Sequence, residues 1–210
     1  AGTYTLTAGT LSMTDMNVGL GTATLNLNDS APFTATSESI TGTLNQNGGT
    51  NTVGTMTLGS VGNTTTYNLN AGTLNITGDL LTTNVGTLGR VNVNMGAGTT
   101  LSVAGDLNLN SGTHEDGGCL SGYSSNTTVS MDSTAQLALT GDGSFDLGAN
   151  GGCTSSVSPP LGSIYAAAPG KTTTLVNGLA AANVTLGSGT LDGGGGTMFT
   201  PRVVGSGAWP

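Results

Sequence analysis

Apolar and polar residues alternate along most of this chain. From residue 3 to residue 8, the apolar positions Tyr4, Leu6 and Ala8 alternate with threonines. The same alternation recurs at residues 22–28, 91–95, 107–110 and 128–131. A period of two matches the side-chain period of a β-strand, and no segment of ten or more residues shows helical spacing. The pattern therefore predicts an all-β protein.

Two short phrases recur along the chain. Gly-Thr-Leu begins at Gly9, Gly42, Gly72, Gly86 and Gly189. The longest match pairs residues 4–13 with residues 67–76, a separation that suits three coils of about 21 residues. A second phrase, which contains Gly-Asp, occurs at residues 74–80 and 101–107 and, in a looser form, at residues 137–142. Repeats of this kind are typical of arrays in which each unit buries its apolar edge on the next, so we predict a parallel β-solenoid, or β-helix.

The local alternation alone also fits an antiparallel β-sandwich or jelly roll, and the two repeats favour the solenoid. Residues 1–110 are predicted to form solenoid repeats and residues 161–196 the terminal coils. Residues 111–160 break the rhythm and are predicted to be an irregular insertion within the same domain, with strands near Thr128–Met131 and Gln136–Leu139. Residues 197–210 form a C-terminal tail after a four-glycine hinge.

The composition excludes several kinds of partner. Charged residues make up 7% of the chain, and three cations face 11 acids, giving a net charge of −8. Three cations cannot line a phosphate backbone, so nucleic acid is not an expected partner. No apolar run is long enough to span a membrane. The chain starts inside a repeat, which suits a secreted protein whose signal peptide has been removed, or a shortened chain.

The only two cysteines lie in glycine-rich sequence within the predicted insertion. We expect Cys119 and Cys153 to form a disulfide, which would contribute about 3–4 kcal/mol by closing the loop between them. A disulfide indicates an extracellular location. Two buried free thiols are the alternative, whereas a zinc site lacks ligands because His114 is the only histidine.

The phrases at residues 4–13 and 67–78 resemble the autotransporter-associated β-strand repeats of secreted bacterial proteins and the passenger domains of autotransporters. The resemblance covers about residues 1–110 and, more faintly, residues 179–198. It implies a right-handed β-helix that serves as a surface adhesin, a matrix component or a stalk.

Three aspartates follow glycine at equivalent positions of the second phrase. Asp79, Asp106 and Asp142 are expected to cap turns by accepting backbone N–H bonds, and a stacked Ca²⁺ site is the alternative. We expect no other cofactor. The cluster His114-Glu115-Asp116 is interpreted as a solvated loop.

These observations predict a secreted, non-enzymatic structural protein of the cell surface or extracellular space. We expect copies of it to assemble into a filament, sheath or matrix, because its strands are nearly uncharged. The predicted interface residues are Tyr4, Thr5 and Leu6 at one end and Phe199, Val203, Val204 and Trp209 at the other. The alternative is a surface binding module, an adhesin or a carbohydrate- or ice-binding solenoid, in which Thr-x-Thr pairs share one face. No enzyme is expected, because no serine motif is partnered by a usable base.

Overall fold

The computed structural model contains nineteen β-strands in the part of the chain that it describes. The described residues are 2–27, 32–83, 89–108, 127–146, 161–166, 168–175, 179–193, 198–199 and 203–205. The strands are β1 (Gly2–Leu6), β2 (Leu11–Val18), β3 (Thr22–Leu27), β4 (Phe33–Ile40), β5 (Thr43–Leu58), β6 (Thr64–Ile76), β7 (Leu80–Thr82), β8 (Arg90–Met95), β9 (Thr100–Val103), β10 (Leu107–Asn108), β11 (Thr127–Met131), β12 (Gln136–Leu139), β13 (Gly143–Asp146), β14 (Leu161–Ala166), β15 (Thr172–Leu175), β16 (Leu179–Leu186), β17 (Thr190–Asp192), β18 (Met198–Phe199) and β19 (Val203–Gly205).

Every strand pair among the described residues is parallel, and each strand pairs with the equivalent strand of the next coil. This arrangement confirms the predicted all-β parallel β-solenoid and excludes the antiparallel sandwich.

Each coil contributes strand segments to three faces. The first face holds β1, β3, residues 43–46 of β5, residues 64–69 of β6, β8 and β11. The second holds residues 11–13, 33–35, 51–53 and 73–76, then β9, β12, residues 163–166, residues 184–186 and β19. The third holds residues 15–18, 37–40 and 55–58, then β7, β10, β13, β15 and β17.

The core consists of inward side chains stacked coil upon coil. On the second face one unbroken register runs Leu11, Phe33, Asn51, Leu74, Leu101, Leu137, Ile164, Val184 and Val203. Leu74, Leu101 and Leu137 are each 2% exposed. Each such fully buried aliphatic side chain stabilises the fold by about 1.5–3 kcal/mol, so the stack holds neighbouring coils together.

The Gly-Thr-Leu phrase marks the corners of the solenoid. Gly72 lies between the first and second faces with φ +81°, and a Cβ there would lie 2.1 Å from the carbonyl oxygen of Gly49 in the preceding coil. Gly42 lies instead between the third and first faces. The phrase therefore encodes a tight turn followed by a strand whose leucine, as at Leu44 and Leu74, is buried.

The matching phrases at residues 4–13 and 67–76 are three coils apart, as predicted, but their tyrosines, Tyr4 and Tyr67, do not stack on one another. Tyr4 pairs with Leu25 in the second coil, Leu25 pairs with Gln46 in the third, and Gln46 pairs with Leu69 in the fourth. Tyr67 instead occupies the position two residues earlier, above Leu44. The coils therefore vary in length around a fixed set of stacked positions.

The predicted insertion contributes a coil of its own to the solenoid. β11, β12 and β13 pair with β8, β9 and β10, and β12 and β13 also pair with β14 and β15. Residues 127–146 of the predicted insertion therefore belong to the solenoid, and the two expected strands are present. In the predicted tail, β18 and β19 both stack on β16 of the same chain.

Candidate assembly edge, ladder surface and aspartate caps

The first coil has an open edge in the described part of the chain. There, β1 pairs only with β3, and β2 only with β4. Tyr4 is 44% exposed, whereas Leu25, which pairs with it in the next coil, is 2% exposed. Leu6 is half-buried and Thr5 is exposed. Residues that would be core in any later coil are therefore accessible at this end, and we name β1 and β2 together the assembly edge.

The other predicted interface lies at the opposite end of the stack. The backbones of Phe199, Val203 and Val204 pair with β16, so this segment continues the solenoid of its own chain. Trp209 lies outside the described residues. Within those residues, β18 and β19 each pair only with β16, which leaves their outer edge open.

The outside of the first face carries asparagine ladders, in which each amide bonds to the one in the coil before. Asn68 donates from Nδ2 to Oδ1 of Asn45 at 2.6 Å, and Asn94 donates to Asn68 at 2.7 Å. A second ladder joins Asn70, Asn47 and Asn26 at 2.8 Å per step. We define the ladder surface as Thr3, Thr5, Thr22, Thr24, Asn26, Thr43, Asn45, Asn47, Thr66, Asn68, Asn70, Asn92 and Asn94. None of these residues is charged, and Arg90 lies beside them on the same side of β8.

The Thr-x-Thr pairs do not share one face. Thr3 stacks under Thr24 on the ladder surface, but the pairs at residues 50 and 52 and at residues 55 and 57 belong to the second and third faces. On the first face, the column that begins with Thr3 and Thr24 continues with asparagine at Asn45, Asn68 and Asn94, whereas the neighbouring column keeps threonine at Thr43 and Thr66.

The three repeat aspartates each bind the backbone of the following coil. Asp79 Oδ1 accepts from the N–H of Asp106, and Asp106 Oδ1 accepts from the N–H of Ser144, both at 2.8 Å. Asp142 Oδ1 accepts from the N–H of Thr172 at 2.8 Å, and its Oδ2 lies 3.0 Å from Lys171 Nζ. Each carboxylate accepts a backbone N–H as expected, but the donor lies in the next coil rather than in the turn of the aspartate itself. We call these residues the aspartate caps.

The bonds at the last aspartate cap change its titration. The backbone bond from Thr172, followed by the hydrogen bond from Lys171, lowers the pKa of Asp142. Among the described residues, no group of three or more His, Cys, Asp or Glu side chains gathers around one point. The Ca²⁺ alternative at the caps stays a prediction.

A buried polar layer crosses the core, and sequence analysis did not identify it. Glu38, Gln46 and Asn51 come from the third, first and second faces, each within an otherwise apolar column, and each is at most 1% exposed. Tyr67 Oη donates to Gln46 Oε1 at 2.6 Å, and Asn51 Nδ2 donates to Glu38 Oε1 at 3.0 Å. The alternation did contain the signal, since Glu38 lies two residues before Ile40 and Gln46 two residues after Leu44.

Burial dominates the titration of this layer. Loss of solvent raises the pKa of Glu38 to about 7, against a smaller lowering by its bond from Asn51. Burial and then the nearby Glu38 raise the pKa of Tyr67 well above its usual value. Tyr67 therefore remains un-ionised and donates its proton to Gln46.

Some predicted features lie outside the described residues. They include Cys119 and Cys153, with their predicted disulfide, and the His114-Glu115-Asp116 cluster. The described ranges contain no helix long and apolar enough to cross a membrane.

The fold places this chain in the structural class of parallel β-solenoids. No protein family, curated protein or solved structure matches it. The resemblance to autotransporter repeats thus stays an expectation from the sequence.

Proposed function

We propose that this chain is a non-enzymatic structural β-solenoid that binds copies of itself head to tail, in an extracellular filament, sheath or matrix. The observation that carries the proposal is the assembly edge, where within the described residues β1 pairs only with β3, and Tyr4 is 44% exposed in a column that is closed in the next coil. An edge strand with unpaired backbone groups binds another strand readily.

We expect the partner at the assembly edge to be a second copy of this chain. Because all described strands run parallel, the edges at the two ends have the same chain direction, and one end can continue the ladder of the other. Such a contact joins two different surfaces, and repetition of it gives an open filament rather than a closed dimer.

The strands at the two ends contain few charges. β1, β18 and β19 contain no charged residue, whereas β2 contains Asp15 and β17, the last described strand of the third face, contains Asp192. Asp15 bonds to Ser37 on the outer side of the coil, away from the core columns. Edge-to-edge pairing between copies therefore brings one aspartate from each of these ends to the contact, Asp15 and Asp192, and both belong to the third face.

The experiment compares two apolar-to-acid substitutions. Tyr4→Asp places a charge within the assembly edge, and Val61→Asp is the matched control, because Val61 is 73% exposed at a corner between β5 and β6. Sedimentation velocity over a concentration series, with negative-stain microscopy, should show rods for the wild type and Val61→Asp and monomers for Tyr4→Asp. A wild type that stays monomeric at all concentrations contradicts the proposal, as does equal loss of rods in both variants.

The extracellular location has its own test. Thiol labelling of the unreduced protein should modify neither Cys119 nor Cys153, and labelling after reduction under denaturing conditions should modify both. Labelling of both cysteines in denatured, unreduced protein would remove the argument for an oxidising compartment.

The ladder surface supports a second candidate function, the binding of cell-surface carbohydrate. Its amides and hydroxyls form a flat, uncharged array that is half-buried to exposed. Polysaccharide pull-down of the wild type and of Asn47→Asp would test this function. Asn47 is chosen because it is exposed and is the middle residue of the ladder of Asn26, Asn47 and Asn70. Equal retention of both proteins, or of neither, would contradict a carbohydrate site here.

A further inference from the structure

Two oxygen atoms in the buried polar layer have no hydrogen-bond partner. They are Glu38 Oε2 and Asn51 Oδ1, and both belong to side chains that are already joined through Asn51 Nδ2 and Glu38 Oε1. A buried acceptor without a donor is costly, and two on neighbouring groups are more so. One additional hydrogen between them would satisfy both.

We propose that Glu38 is a neutral carboxylic acid in the folded protein, donating its proton from Oε2 to Asn51 Oδ1, and that loss of this proton loosens the coils around it. The acid and the amide then form a closed pair with two hydrogen bonds. The proton makes the polar layer a pH-sensitive device within the solenoid core.

The surroundings of Glu38 favour the neutral form. Its column neighbours are Met16 in the preceding coil and Met56 in the following one. On the strands packed against β4, the sequence of β5 has no titratable side chain, and β2 has only Asp15, which bonds to Ser37 on the outer side. β6 contributes Tyr67, a hydrogen-bond donor to Gln46. No described cation therefore offsets a charge on Glu38, which agrees with its raised pKa of about 7.

The sign of the pH effect follows from this pKa. Because the folded protein holds the proton more tightly than the unfolded chain, the contribution of Glu38 is complete below its ordinary value of 4.5. It decreases as the pH rises from there to about 7, where the folded form also ionises. Above that pH the carboxylate lies buried without a cation.

The direct test is an NMR titration of the glutamate side chains. The chain contains only two glutamates, Glu38 and Glu115, so ¹³Cδ-labelled glutamate gives two carboxyl signals, and Glu38→Gln assigns them. One signal should titrate with a midpoint near 7 and vanish in Glu38→Gln. If the Glu38 signal titrates near its ordinary 4.5, the proposal is wrong.

A second test compares denaturant midpoints at mildly acidic and mildly alkaline pH. Glu38→Gln keeps a donor and an acceptor for Asn51 but cannot ionise, so its midpoint should match the wild type in acid and exceed it in alkali. Asp15→Asn, on the outer side of the same sheet, is the control and should keep the wild-type pH trend. A Glu38→Gln midpoint that lies below the wild type by the same amount at both pH values overturns the proposal. If this variant does not fold, Glu115→Gln assigns the two carboxyl signals and the NMR titration decides the matter.

Discussion

Asp79 Oδ1 lies 2.8 Å from the backbone nitrogen of Asp106, and it occupies the space where a side chain on Gly105 would begin. The two neighbouring residues of the Gly-Asp phrase thus have separate roles. Gly105 makes room for the carboxylate of the preceding coil, and Asp106 supplies the N–H that it accepts. In the next two coils, Asp106 and Asp142 accept from the N–H groups of Ser144 and Thr172, so the role of the aspartate recurs with a different donor residue.

Gly105→Ala should destabilise the protein by about 1–3 kcal/mol. Its Cβ would lie 2.1 Å from Asp79 Oδ1 and 2.7 Å from the backbone of Gly78, so the cap and the corner cannot both keep their positions. Denaturant unfolding measures the effect. Gly19→Ala is the control, since nothing lies within 4 Å of a Cβ there, and an equal loss in the two variants would refute the packing argument.

Asp79→Ala should lower the free energy of unfolding by about 1 kcal/mol, because the N–H of Asp106 loses its acceptor. Asp79→Asn keeps an oxygen at the same place and should lose less. Chemical denaturation of both variants checks the order. The cap interpretation would fail if Asn were as damaging as Ala.

Calcium should not change the melting temperature if the aspartates act only as caps. A carboxylate that already accepts a backbone bond at 2.8 Å has less capacity for a metal ion. Calorimetry with added Ca²⁺ and with a chelator tests this expectation. A rise in Tm with Ca²⁺ that disappears in Asp106→Asn would identify a metal site instead.

Tyr67→Phe should cost about 1–3 kcal/mol of stability, since the buried Gln46 Oε1 would lose its 2.6 Å bond. Tyr165→Phe is the matched control, because Tyr165 is half-buried rather than buried. Equilibrium unfolding should show little change in the control. A neutral Tyr67→Phe would mean that the polar layer adds nothing to stability.

Asp142 should contribute to stability at neutral pH and lose that contribution in acid. Its pKa is lowered in the folded protein, so the contribution is present above the ordinary carboxyl range and is lost as the pH falls through the lowered value. Unfolding of wild type and Asp142→Asn at about pH 5 and about pH 2 tests this sign. Equal acid sensitivity of the two proteins would contradict it.

The sequence predicted the class of fold because the parallel solenoid repeats its chemistry. Alternation identified the strands, and the Gly-Asp spacing of 27 residues between Asp79 and Asp106 equals the true coil spacing at that point. The sequence did not predict which residues of the first coils stack on one another. The third coil, from Gln46 to Leu69, is 23 residues long, whereas the first two, from Tyr4 to Leu25 and from Leu25 to Gln46, are 21. Its additional residues lie at the corner between β5 and β6, at residues 59–63, where the sequence match shows no sign of them.

The polar layer was missed for a different physical reason. A charged residue is rarely buried unless it is paired, so Glu38 was not assigned to the core although the alternation places it there. The partners that make its burial tolerable, Asn51 and Tyr67, are 13 and 29 positions further along the chain. Only the stacking of coils brings these three residues together.

The asparagine ladders have a consequence for the ionic environments that the protein can withstand. The ion pair Lys171–Asp142 joins side chains that are 45% and 62% exposed, so dissolved ions can screen it. Amide-to-amide bonds such as Asn68–Asn45 have no net charge for dissolved ions to screen. The contribution of these bonds to coil stacking should therefore change little with salt concentration.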